Sequence, residues 1–112
     1  MELTEFVHQV TTEPLSVEFE QTISVIDGNF TFTPTAFKNG EVENDAGQNN
    51  GSCKIFAFAQ MHNLTEAQTL ACFGKFYRQD VLEHPENEDH QNIRNFITHG
   101  WAGIEFAAPA LK

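Results

Sequence analysis

Apolar residues recur at helical spacing from the start of the chain, where Leu3, Phe6, Val7 and Val10 share one face and predict a short amphipathic helix ending near Thr11 or Thr12. Pro14 interrupts that pattern, and Ser16 is a candidate N-cap for a second helix. A stripe of Phe19, Ile23 and Ile26, closed by Gly28 as a C-cap, predicts helix over residues 16–27. At Phe30-Thr31-Phe32-Thr33 the side chains switch to strict alternation, the pattern of a strand, and Pro34 confines that strand to an edge or a bend. Asn39-Gly40 is a hairpin signal because both central positions of such a turn call for positive φ; centred there, the turn sets Phe37 opposite Val42 and Lys38 opposite Glu41.

Beyond Glu43 the chain turns polar and rich in Asn and Gly, which predicts a surface loop as far as Gly51. Ser52 then caps a helix in which Ile55, Phe56, Ala57, Phe58, Ala59 and Met61 cover most of the circumference, as expected of an element surrounded by others. Thr65-Glu66-Ala67-Gln68 is a capping box. It opens a helix with Ala67, Leu70, Ala71, Phe73, Gly74 and Tyr77 on its buried face, extending toward Val81 and Leu82. An acidic loop over 83–89 precedes a last helix marked by Ile93, Phe96 and Ile97 and stopped at Gly100, and Trp101 to Phe106 either adds a strand or packs on the core. The fold class that follows is α+β, mostly α: a single compact domain over residues 1–112, of about five helices and a small antiparallel β-hairpin.

Composition changes this picture little. The 112 residues include 11 Phe and 40% hydrophobic residues, enough for one real core. Six basic against 16 acidic residues give a net charge of −10, which repels nucleic-acid phosphate and anionic lipid, so neither nucleic acid nor membrane is an expected partner. Expected partners are another protein or a small ligand. Cys53 and Cys72 are too few for a disulfide scaffold and fit a reducing compartment. The N-terminus lacks the basic flank and long apolar run of a signal peptide, and no segment approaches the length of a spanning helix.

Several motifs in one order carry a family resemblance: Asn39-Gly40-Glu41, Ala46-Gly47-Gln48-Asn49, Gly51-Ser52-Cys53-Lys54, Glu66-Ala67-Gln68-Thr69-Leu70, and Asp89-His90-Gln91-Asn92-Ile93-Arg94-Asn95 through His99-Gly100-Trp101. The chain resembles the HopJ type III effector proteins over nearly its whole length. The resemblance implies a bacterial protein, resident in the cytoplasm or delivered into a host cell, and brings no catalytic residue or cofactor with it.

Two polar blocks hold the candidate chemistry. The first, with Asn44, Gly47, Gln48, Asn50, Gly51, Ser52 and Lys54, offers a helix start and a lysine to an anion, although its glycine spacing is not that of a P-loop. Cys53, read as the first helical residue, is a candidate nucleophile only if folding brings His90 or His99 to it. The second block places Asn92, Asn95 and His99 on one helical stripe, with Arg94 as a fork for an anion and Trp101 as a pocket floor. A purely structural reading of that block has Asp89 capping the helix, Arg94 pairing with an acidic neighbour and His99 at the negative helix end. No metal is expected: the acidic loop lacks a His-Glu-x-x-His or paired-Cys spacing, and the Asn44–Gly51 loop departs from an EF-hand at its sixth and twelfth positions. The leading expectation is a non-enzymatic interaction protein with an exposed apolar patch. The alternative is a small enzyme or ligand-binding protein, which requires the two blocks to converge on one concavity.

Overall fold

A computed structural model describes residues 2–112. Helix α1 (Leu3–Thr12) buries Phe6 and Val10, as its stripe predicts. Helix α2 (Phe19–Asn29) starts later than expected because Pro14–Ser16 forms a separate 3-10 turn. Its start is fixed by a reciprocal pair in which Glu18 is the N-cap and Gln21 reaches back to it. The helix runs through Gly28, which keeps ordinary helical backbone, and ends at Phe30. Segment 30–33 makes one short antiparallel bridge, Phe32 with Leu111, secured by Thr31 and Thr33 N–H groups donating to the carbonyls of Lys112 and Ala110 at 2.8 Å each.

Strands β1 (Phe37–Asn39), β2 (Val42–Asn44) and β3 (Ile104–Phe106) form an antiparallel sheet in the order β2-β1-β3. The hairpin register is Phe37 with Asn44, Lys38 with Glu43 and Asn39 with Val42, so the loop is Gly40-Glu41 rather than Asn39-Gly40. Asn39 has been drawn into the strand because its side chain is fully buried and hydrogen-bonded to the Asn92 carbonyl. Only Gly40 takes the positive φ, +59°, and a Cβ there would collide with the His99 ring.

Helix α3 (Asn50–Met61) is the centre of the molecule, with Cys53, Ile55, Phe56, Ala57, Phe58 and Ala59 all buried. Its cap is Asn49, and Ser52 lies inside the first turn instead. Met61, expected inside, is half exposed at the far end. Helix α4 (Glu66–Ala71) has the predicted capping box but stops early: Gly74 adopts φ +60° within a turn pressed against the backbone of Phe19, where a Cβ would come within 2.6 Å of the Phe19 nitrogen. The chain resumes as a π-helical turn over Phe76–Val81, with Val81 buried and Leu82 outside. Ala67, on the expected buried face, is exposed because the short α4 packs through Thr69, Leu70 and Ala71. Helix α5 (Gln91–His99) buries Asn92, Ile93 and Phe96, leaves Ile97 exposed and stops at Gly100. A 3-10 turn over Gly100–Gly103 then feeds β3.

One apolar cluster unites these elements, centred on Phe56, which packs against Phe37, Phe73, Phe96 and Trp101. Among the described residues no helix is long and apolar enough to cross a membrane.

Candidate functional site

The stripe Asn92–Asn95–His99 faces the hairpin. Asn39 Nδ2 donates to the Asn92 carbonyl at 2.7 Å and to Asn92 Oδ1 at 3.1 Å, and Asn44 Nδ2 donates to the same Oδ1 at 3.1 Å. Asn92 Nδ2 answers by donating to Asn44 Oδ1 at 3.0 Å, and Asn49 Nδ2 donates there too at 2.7 Å. Asn95 Oδ1 accepts the Glu41 N–H at 3.2 Å, and the His99 ring lies over Gly40. These side chains join α5 to the sheet and to the start of α3, so the densest polar array in the sequence is first of all a buried hinge of amides.

The other expected site residues separate. Gly47 and Gln48 close a turn on themselves, with Asp45 N–H donating to Gln48 Oε1 and Gln48 N–H to the Asp45 carbonyl. Lys54 pairs with Asp27 at 2.8 Å and lies 5.1 Å from the centre of the Phe32 ring. Arg94 holds the acidic loop: its guanidinium donates to carbonyls of Asp80, His84, Pro85 and Asp89 and pairs with the Asp89 carboxylate at 2.7 Å. The Arg94 hydrogen bond holds the Asp89 carboxyl below its usual range. Asp89 thus serves Arg94, and the N-cap of α5 is His90.

Trp101 packs on Phe96 and donates its indole N–H to the Leu64 carbonyl at 3.2 Å, beside a separate concavity near Ala59 and Asn63. Cys53 is the fourth residue of α3 and 1% exposed; its thiol points at the Thr35 carbonyl at 3.6 Å, and burial pushes its pKa up, the opposite of an activated thiolate. No hydrogen bond joins it to His90 or His99.

The two polar blocks do meet, at a cavity of about 340 Å³ between the beginnings of α3 and α5. Asn49, Gly51 and Ser52 line it from one side, and His90, Gln91, Asn92 and Ile93 from the other. Phe19, Phe73, Phe76 and Val42 supply apolar wall, with the Phe19 and Phe76 rings edge to face at 4.9 Å. Both N-caps, Asn49 and His90, adopt φ +51° and neither caps its helix with a side chain. The first ladder bonds are Cys53 N–H to the Asn49 carbonyl and Arg94 N–H to the His90 carbonyl, so the N–H groups of Gly51, Ser52, Gln91, Asn92 and Ile93 have no partner among the described residues. His90 packs its ring 5.2 Å from Phe76 and shares a hydrogen bond with Asp80 at 3.1 Å.

The side-chain amide of the lining Asn92 is engaged in the buried hinge through both its oxygen and its nitrogen, so the donors left to the wall are the backbone N–H groups of the two helix starts. In a chain with 16 acidic residues, none lines this cavity. Among the described residues no group of three or more His, Cys, Asp or Glu is placed to hold a metal ion. Of the expected site residues, Gly51, Ser52, His90 and Asn92 line the cavity. The aromatic wall was invisible in the sequence because Phe19, Phe73 and Phe76 have the spacing of ordinary core residues. Asn49 and Gln91 belonged to the polar blocks but carried no signal separating them from their neighbours.

A family model described as HopJ type III effector protein matches residues 3–111. The chain is also similar to the crystal structure of a protein of unknown function, VPA0580, with 57% identity, 100% of this chain and 93% of that chain covered, and a TM-score of 0.99. A search of curated proteins gives no match.

Proposed function

The chain belongs to the HopJ type III effector protein family, and from that premise we propose that its domain captures a small molecule with a flat apolar body and an anionic or acceptor-rich end. The observation that carries this reading is the convergence of both polar blocks on one cavity whose wall is aromatic, donor-rich and free of acidic side chains. Its volume of about 340 Å³ lies in the range of small-ligand pockets. The N–H groups of two helix starts favour negative charge, and the rings of Phe19 and Phe76 suit a flat apolar group. No activated nucleophile accompanies the cavity, so the reading is binding rather than covalent chemistry. The family's description as type III effectors supports delivery out of the bacterium, with ligand capture as what the domain does at its destination.

Protein interaction remains the second reading, supported by four exposed large apolar side chains, Leu15, Met61, Leu82 and Ile97, each from a different segment. The cavity has the more defined shape and chemistry.

Calorimetric titration with phenyl phosphate tests the binding reading. The wild-type chain binds, and Ser52→Glu, which puts a carboxylate into the cavity wall, weakens binding at least about tenfold, a loss of roughly 1.4 kcal/mol. Equal binding by both proteins, or none by the wild type at millimolar ligand, contradicts it.

A further inference from the structure

The chain contains two Asn-Gly pairs, Asn39-Gly40 and Asn50-Gly51, and the fold treats them oppositely. Glycine after asparagine leaves the backbone nitrogen open to attack the side-chain amide carbon, the step that begins deamidation. At the first pair both reacting groups are tied down: Asn39 is fully buried with its amide nitrogen bonded to Asn92, and the Gly40 N–H donates to the Gly103 carbonyl at 2.9 Å. At the second pair both are free. Asn50 is an exposed first residue of α3, and neither its side chain nor the Gly51 N–H has a hydrogen-bond partner among the described residues.

We infer that Asn50 is a site of spontaneous modification, converted to aspartate and isoaspartate in the folded protein. The Gly51 nitrogen loses its proton and bonds to Asn50 Cγ, and the Cγ–N bond of the side chain breaks, releasing ammonia. Water then opens the succinimide at either carbonyl. The helical backbone at Asn50 holds nucleophile and carbon apart, so reaction requires the first turn of α3 to open; helix ends fray at little cost. The positive field at the helix start also favours the anionic nitrogen and the oxyanion of the addition step. Asn39 reacts only after the sheet and α5 come apart. The new carboxylate stands beside Gly51 and Ser52, at the edge of the cavity. If that cavity holds an anion, ageing of the protein weakens its grip.

Peptide mapping by mass spectrometry tests the site without any ligand, so its outcome is independent of the binding reading. The full chain is incubated in warm, mildly alkaline buffer, folded and in urea. In the folded protein Asn50 gains the mass of deamidation at least about tenfold faster than Asn39, as expected when local opening outruns global unfolding, while in urea the two convert at similar rates. Asn50-to-Asn39 protection that is equal in the folded protein overturns the proposal, as does modification of Asn39 first. An Asn50→Gln variant, which cannot form the five-membered imide, retains its mass at this peptide.

Discussion

At the residue scale, position and burial outweigh residue type. Asn92 looks in sequence like one of several helix-surface amides, yet it is 6% exposed and its Oδ1 accepts from both Asn39 and Asn44. Cys53 and Cys72 look alike and both end as core side chains, burial pushing the Cys72 thiol up to about 12. His62 gives a pH prediction. Its Nε2 is buried with no hydrogen-bond partner among the described residues, the ring packs 4.6 Å from Phe58, and burial lowers its pKa from the ordinary 6.5. The unfolded chain therefore protonates His62 at higher pH than the native state does. Stability contributed by the neutral ring is intact above about pH 6.5 and is lost as pH falls toward the lower native value. Melting temperatures measured on acidification should fall more steeply for the wild type than for His62→Phe; parallel curves would remove His62 as a cause.

At the scale of elements, what the sequence made legible was local and repetitive. The α1 stripe, the 55–59 part of the buried α3 run, the capping box of α4 and the stop at Gly100 depend on neighbours a few residues apart, and each stands where its pattern put it. The misreadings share a different cause. The hairpin turn moved by one residue, and each cross-strand partner by two, because Asn39 bonds to Asn92 of α5, 53 positions away in the chain. Helix α4 stopped short because Gly74 meets the start of α2. Arg94, open in sequence to an anion or to an acidic neighbour, takes the neighbour, Asp89 at 2.7 Å, and adds four backbone carbonyls that no local pattern announces.

A local device should be separable from such long-range effects. Thr65 Oγ1 accepts the Gln68 N–H at 3.1 Å while Gln68 Oε1 accepts the Thr65 N–H at 2.9 Å, so Thr65→Ala should cost about 1 kcal/mol in urea unfolding. A loss below roughly 0.3 kcal/mol would mean that tertiary packing alone fixes the helix start.

At the scale of the molecule, one apolar nucleus around α3 draws two hydrophilic segments, some 40 residues apart in the chain, to the same place. The chain's net charge of −10 describes its surface as a whole and would by itself argue against binding an anion. The cavity departs from that average because its wall is built from helix starts, amides and phenylalanine rings. No carboxylate belongs to the wall itself: Asp27 pairs with Lys54, Asp89 with Arg94, and Asp80 stands behind the lining His90, bonded to its ring at 3.1 Å. That local reversal is the central claim, and it is read most directly from backbone amide chemical shifts during titration with phenyl phosphate. Saturable shifts concentrated on the N–H signals of Gly51, Ser52, Gln91, Asn92 and Ile93 are the predicted result. Shifts scattered over the basic side chains of the surface, or none at saturating ligand, would contradict it.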